Sequence, residues 1–425
     1  MKNFKKILAI LLSVLLIGGI FAACDGTKAP ENEGGNENAE GLNIKVGFIF
    51  LHDENSTYDK NFIDAANEAC DALGISKENR IIKTNIDESN ACYEAAIDLV
   101  ESGCTYVFAD SFGHEPFMIQ AAEENPNVQF FHATGTRAHT EGLSNYHNAF
   151  ASIYEGRYLA GIAAGMKLNE MIEKGDITAE EAKMGYVGAF TYAEVISGFT
   201  SFFLGARSVC PTVTMEVTFT GSWYDEAKEK EGAEKLIANG CVLISQHADS
   251  MGAPTACENK GVPNVSYNGS TISVAPNTFI VSSRINWAPY MKLGIEATAK
   301  GEAIDADWTG TIATESVLLT DVNDNVAAEG TAAAIKEASD KIVAGTLHVY
   351  DTATFTVDPN QKPGLITVDA DGHLTSYMAD VNTDANYEGD TEVVSDGYFH
   401  ESEMRSAPYF DLEIDGITLL DRNFG

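Results

Sequence analysis

Residues Leu99 to Pro116 read LVESGCTYVFADSFGHEP. A helix end and a Gly-Cys pair lead into an apolar run that stops at Asp110, Ser111 and, shortly after, a proline. Val242 to Pro254, VLISQHADSMGAP, follows Gly240-Cys241 and repeats the plan, ending in Gln246, His247, Asp249 and Ser250. A short apolar run without alternation is what a strand buried on both faces requires. Open parallel sheets bind ligands beyond the carboxyl ends of their strands, where these polar residues stand. The chain carries one arrangement twice.

Working outward, the pattern alternates strand and helix. In the first half, strands are expected at 44–50, 80–83, 106–109 and 128–133. Between them, Phe62, Ala65, Ala66, Ala69, Cys70 and Leu73 keep helical spacing, and Gly74 follows as a C-terminal cap. Cys92, Ala95, Ala96, Leu99 and Val100 mark a second helix. After a helix near 153–168 the rhythm restarts, with strands at 184–188, 213–219, 242–245 and 264–267. A strand at 279–283 and a helix at 288–300 follow. A mature chain of about 400 residues exceeds one core. The expected fold is therefore α/β: two doubly wound parallel-sheet lobes with a ligand cleft between them, of the periplasmic-binding-protein type I kind. The expected divisions are 44–150 plus about 276–310 for the N-terminal lobe and 151–275 for the C-terminal lobe. Residues 311–425 partly complete the lobes and partly extend them, in a role the sequence leaves open.

The leader MKNFKKILAILLSVLLIGGIFAAC has Lys2, Lys5 and Lys6, then an uncharged apolar run, then small residues before Cys24. That is the plan of a signal peptide at 1–23. Phe21-Ala22-Ala23-Cys24 resembles a bacterial lipobox, which implies a lipid on Cys24 and a protein anchored at the extracellular face of the cell membrane. Residues 24–43 are acidic, rich in Gly and Asn, and cannot bury a core, so they read as a flexible tether reaching roughly 25 Å.

The net charge of −36 becomes −39 once residues 1–23 and their three lysines are gone. Nucleic acid is excluded as a partner, because phosphate binding needs a basic face. Cys70, Cys92, Cys104, Cys210, Cys241 and Cys257 form no C-x-x-C pair and no zinc spacing with His, and read as small buried hydrophobes.

The strand-end loops supply the candidate ligand-binding residues: His52, Tyr58 and Phe62; Ser111 and Phe112; Phe199 and Trp223; Asp249 and Ser250; Asn268; Arg284 and Trp287. Aromatic rings at strand ends suit a flat ligand held by stacking, which contributes about 1–3 kcal/mol per base. A carboxylate accepts two hydrogen bonds, from an amine pair or a ribose diol. Each has a plainer reading. Phe62 and Phe199 fit the apolar faces of their helices. Trp223 suits a hydrophobic staple, and Asp249 with Ser250 suits a helix cap. Arg284 suits a surface ion pair.

Several stretches resemble the BMP (basic membrane lipoprotein) group of substrate-binding proteins, the PnrA-like nucleoside-binding lipoproteins, over about 44–320. They are IKVGFIF with YDKNF, GYVGAFTYAEVISGFTSFFLGARSV, and SWYDEAKEKEGAEKLIANGCVLISQHADS. The resemblance implies an ABC importer receptor for purine nucleosides or bases, with permease and ATPase subunits as partners. It implies aromatic roles for Phe62 and Phe199 and a ribose-holding role for Asp249. Arg284 lies near where nucleoside binders carry a Lys. Arg in place of Lys, together with Trp223, tilts the reading towards a free purine such as adenine. The alternative is a sugar or other small-solute receptor of the same fold. No cofactor or resident metal is expected. No H-E-x-x-H, G-x-S-x-G or phosphate-binding glycine loop appears, so an enzyme is not expected. His52, Asp53, His247 and Asp249 are the residues that an ion-binding alternative would use.

Overall fold

The computed structural model describes residues 41–381 and 389–422. The expected signal peptide, Cys24 and tether residues 25–40 lie outside the described residues. Among those described, no helix is long and apolar enough to cross a membrane.

The first half comprises β1 (Val46–Ile49), α1 (Thr57–Ala72), β2 (Arg80–Lys83), α2 (Asn90–Glu101) and β3 (Tyr106–Ala109). It continues with α3 (Glu115–Glu124), β4 (Gln129–Ala133), α4 (Ala138–Glu141) and β5 (Tyr146–Ala151). The second half runs α5 (Ile153–Lys174), β6 (Lys183–Gly188), α6 (Ala193–Val209), β7 (Thr214–Phe219) and α7 (Glu226–Ala238). Then come β8 (Leu243–Gln246), α8 (Gly252–Lys260), β9 (Asn264–Tyr267) and β10 (Phe279–Ile285). The chain returns through α9 (Ala288–Lys300), β11 (Asp307–Gly310) and β12 (Val317–Leu319).

The two sheets are wound alike. The first is ordered β11-β5-β4-β3-β1-β2 and is parallel throughout. The second runs β12-β10-β9-β8-β6-β7, with β12 antiparallel. The strand order reverses between β1 and β3 in one sheet and between β6 and β8 in the other, so each has a crevice there.

One expected boundary shifts. The strand near 279 was expected in the first lobe, yet β10 pairs with β9 in the second sheet. The chain crosses only after Ile285, and it is α9 that packs on α1 and β11 that pairs with β5. An apolar strand reads the same in either sheet, so the pattern alone did not fix which one it joins. The crossings are laced together: Ser152 N–H donates to Gly310 O at 2.7 Å and Asn286 N–H to Ser316 O at 2.8 Å.

Local chemistry sets the helix ends. Ser56 caps α1 by accepting from Asp59 N–H, and α1 closes on left-handed Gly74 (φ 68°). Asp225 caps α7 by accepting from Lys228 N–H at 3.0 Å. α5 and α6 touch backbone to backbone. A Cβ on Gly161 would lie 2.0 Å from Phe202 O, and one on Gly205 2.0 Å from Tyr158 O. Both positions need glycine to seat α5 on the second lobe.

The C-terminal part contains α10 (Thr331–Val343), which packs on α5, then β13 (Ile366–Val368), β14 (Leu374–Ala379) and β15 (Thr391–Glu392) as a small antiparallel sheet. β16 (Val394–Ser395) and β17 (Tyr398–Phe399) form a hairpin, and β18 (Ile417–Leu419) extends the second sheet beside β7. Tyr350, Phe355, Phe399, Phe410 and Leu412 join the core of the second lobe. Ser406 Oγ also bonds Asp307 on β11 at 2.5 Å, so the extension touches both sheets. The six described cysteines are unpaired and buried.

Candidate functional site

A cavity of about 350 Å³ lies between the two crevices. Leu51 and His52 follow β1, Tyr58 and Asp59 open α1, Ser111 and Phe112 follow β3, and Thr134 follows β4. From the other sheet come Glu194 at the start of α6, Trp223 after β7, His247 and Asp249 after β8, and Tyr267 with Asn268 at the end of β9.

Seven of the candidates from the sequence meet here: His52, Tyr58, Ser111, Phe112, Trp223, Asp249 and Asn268. Five do not. Phe62 is fully buried and stacks on Trp287 at 4.5 Å and 22°, so both belong to the first-lobe core. Tyr58, one turn earlier on α1, covers Phe62 at 4.9 Å and takes the cavity-facing place. Phe199 packs edge-on against Tyr186 at 5.8 Å inside the second lobe. Ser250 turns away from the cavity. Its N–H bonds the Glu229 carboxylate at 3.0 Å, and its Oγ accepts from Gly252 N–H at 3.0 Å at the start of α8. Arg284 sits within β10 opposite Leu318 of β12, away from the cavity lining.

Asp59, Glu194, His247, Tyr267, Thr134 and Leu51 complete the lining. Asp59 and Glu194 occupy the first turns of α1 and α6, where an acid normally reads as a complement to the helix dipole. That ordinary explanation hid them. Thr134 and Asn268 carry a backbone signal instead: φ is 70° and 66°. A β-branched residue in the left-handed region is strained, and such strain gathers at functional sites. Both N–H groups bond the next strand, Thr134 to Ala149 O at 3.0 Å and Asn268 to Ser283 O at 2.9 Å.

The charges are arranged in detail. His52 N–H donates to Asp59 Oδ1 at 2.6 Å, and Ser56 Oγ–H donates to Oδ2 at 2.6 Å. Burial pushes the Asp59 carboxyl up, but bonds from His52 and Ser56 outweigh it and leave it below its ordinary value, hence anionic. Burial pulls His52 down, and the Asp59 carboxylate more than reverses this. Asp249 goes the other way. Its burial, then the negative charge of Asp59 and Glu229, holds the carboxyl well above the usual range. Asn268 Nδ2 donates to Asp249 Oδ1 at 2.9 Å, which occupies one of that oxygen's two lone pairs.

Behind the cavity, Arg157 of α5 is almost fully buried. Its Nη2 donates to His247 Nδ1 at 3.0 Å, and its guanidinium lies 3.3 Å from the centre of the Tyr267 ring. Arginine has no acceptor, so His247 Nδ1 must accept and Nε2 carries the hydrogen. That hydrogen faces Glu194 Oε1 at 3.3 Å. Burial first, and then Arg157, holds His247 below its ordinary value despite Glu194. Arg157 thus fixes a neutral tautomer with its N–H at the cavity wall.

The two halves meet across the site. Thr57 N–H and Oγ1–H both donate to Asp249 O at 3.1 Å, and Asn61 Nδ2 donates to Asn268 O at 2.6 Å. Phe112 meets Tyr192 at 5.2 Å, and His52 meets Tyr224 at 5.4 Å. The cleft is closed. Among the described residues, no group of three or more His, Cys, Asp or Glu is arranged to hold a metal ion.

Residues 47–353 match the family model described as "ABC transporter substrate-binding protein PnrA-like" (Bmp). The chain is 32% identical to the purine-binding protein BAB2_0673 of Brucella abortus, over 65% of this chain and 75% of that one. It is 34% identical to a putative ABC transporter glucose-binding protein of Haloferax volcanii, over 48% of this chain and about half (49%) of that protein. Among solved structures, an ABC transporter solute-binding protein from Conexibacter woesei superposes with a TM-score of 0.58 at 20% identity. That superposition covers 72% of this chain and 98% of the other, and shares the fold alone.

Proposed function

The chain belongs to the Bmp family of PnrA-like ABC transporter substrate-binding proteins, and we propose that its cargo is a free purine base, adenine in type. The observation that carries this is the pairing of Asp249 with Asn268 in a cavity walled by Phe112, Trp223 and Tyr267. A carboxyl held neutral presents O–H and C=O side by side. That pair complements a ring nitrogen next to an exocyclic amine, while the aromatic walls take the ring faces. The name of the Brucella relative points to the same class. The name of the Haloferax relative supports the second reading, a sugar.

Transport then needs binding and motion and no covalent chemistry. The open form exposes both sets of strand ends. A ligand that contacts both halves favours the closed form by its differential affinity. Thr57 and Asn61 latch onto the backbone of Asp249 and Asn268, so closure and ligand contact share the same residues. The closed protein delivers its cargo to a permease driven by an ATPase, from an anchor supplied by lipidated Cys24.

A thermal-shift series on protein unfolded and refolded to strip ligand tests the cargo. At a hundred times Kd a ligand stabilises by about 2.7 kcal/mol. We expect a shift with adenine or another free base and a smaller one with nucleosides. A shift with glucose and none with purines overturns the reading in favour of the sugar. Replacement of Cys24 by serine is expected to release the protein from membranes; retention in the membrane fraction would refute the anchor.

A further inference from the structure

A second recess of about 580 Å³ opens where the C-terminal extension meets the start of α5. Tyr154 and Glu155 supply one wall, and His348, Tyr350, Tyr398 and Glu403 supply the other. Neither Lys nor Arg lines it. Glu155 is only 9% exposed. Its carboxylate accepts one hydrogen bond, from Ile312 N–H at 2.9 Å, and has no cation partner among the described residues. Burial pushes its carboxyl up to about 7. Glu403 accepts from His400 Nδ1 at 2.8 Å and remains half exposed at the rim. The rings are already organised, with Tyr154 and Tyr350 5.5 Å apart and His348 stacked on Tyr398 at 3.8 Å.

A buried carboxylate without a counter-charge is costly, and a cation placed beside it removes the cost. Aromatic walls favour a cation that also carries carbon, through ring quadrupoles and apolar contact. A compact metal ion would need more oxygen ligands than two carboxylates supply.

We propose that this recess binds a small organic ammonium ion, with its charge against Glu155 and Glu403 and its carbons against Tyr154. The site is separate from the cleft and independent of the cargo held there. It also sits on a crossing between the lobes, because Glu155 holds Ile312 in the 311–316 connection.

Choline is the probe, titrated calorimetrically into the purified protein. The comparison compound is 3,3-dimethylbutan-1-ol, which has the same shape and no charge. Choline is expected to bind one to one, at least tenfold more tightly than the alcohol. Glu155→Gln, which keeps an acceptor for Ile312, and Tyr154→Leu should each weaken choline at least tenfold, whereas Trp223→Ala in the cleft should leave it unchanged. Circular dichroism confirms that each variant is folded; if Tyr154→Leu is not, Glu155→Gln decides alone. Absence of choline binding, equal binding of the alcohol, or loss of binding in Trp223→Ala with none in Glu155→Gln would each overturn the proposal.

Discussion

The ends of β3 and β8 look like twins in the sequence, and they do opposite things. After β3, Asp110 turns inward. Its Oδ1 accepts from Leu51 N–H at 3.1 Å, its Oδ2 accepts no hydrogen bond among the described residues, and Ser111 reaches the cavity. After β8, Asp249 reaches the cavity and Ser250 turns inward to Glu229. The Asp-Ser pair has exchanged roles between the lobes. A parallel sheet places its strand ends at the crevice, but the turn that follows decides which side chain enters. After β3 that turn is a single 3-10 turn, Phe112–His114, whereas after β8 the chain runs on to α8. The closer repeat lies one strand over. Thr134 after β4 and Asn268 after β9 share positive φ, the same bond to the next strand and a place in the lining.

The comparison breaks most sharply at the aromatics. Phe199→Ala is expected to lower stability by about 3–5 kcal/mol, as truncation of a buried ring does, and to leave purine affinity intact in the folded fraction. Trp223→Ala should do the reverse, weakening binding by about 1–3 kcal/mol with a small change in melting temperature. Urea melts beside calorimetric titrations separate the two. Equal behaviour of the two variants would remove the distinction between the core ring and the cavity ring.

The acids divide the same way. Asp249→Ala should weaken purine binding at least tenfold, about 1.4 kcal/mol. Asp249→Asn, which keeps a neutral donor and acceptor, should stay within a few-fold of wild type. Asp110→Ala should leave Kd unchanged. For Asp110, burial and the nearby Asp59 hold the carboxyl well above its ordinary 3.8 in the folded state. At this group the folded protein therefore keeps a proton that the unfolded chain has released, and the group's contribution to stability falls as pH rises from about 4 through the raised value. Asp110→Asn, which keeps the acceptor for Leu51, should flatten that fall and melt above wild type at pH 8. A wild type whose stability does not fall relative to Asp110→Asn over this range would contradict the assignment.

The fold was legible because parallel strands covered on both faces are written as uninterrupted apolar runs, and the helices between them keep 3.6-residue spacing. β10 was misplaced because hydrophobic pattern carries no address. The cavity lining was legible where polar or aromatic residues follow a strand directly, as with His52, Phe112, Asp249 and Asn268. It failed where one residue type serves two purposes. Phe62 and Tyr58 sit one turn apart on α1, and which of them faces the cavity depends on how α1 packs against Trp287. Arg157 gave no signal, because a basic residue within a helix ordinarily reads as exposed, yet it fixes the tautomer of His247 from behind.

The smallest expected effect is the most discriminating test of the true repeat. Thr134→Gly removes a β-branched side chain from the left-handed region, and among the described residues its Oγ1 makes no hydrogen bond that would be lost. The gain should approach 1 kcal/mol of stability, less the added freedom of glycine in the unfolded chain. Asn268→Gly should gain nothing, because asparagine tolerates positive φ and its amide holds Asp249. The two substitutions then part in binding as well. Thr134→Gly trims only a wall, whereas Asn268→Gly frees the Asp249 carboxyl and should loosen the purine several-fold. If both variants gain equally in stability and neither changes Kd, the strain at these strand ends belongs to the winding of the sheets and has no part in ligand binding.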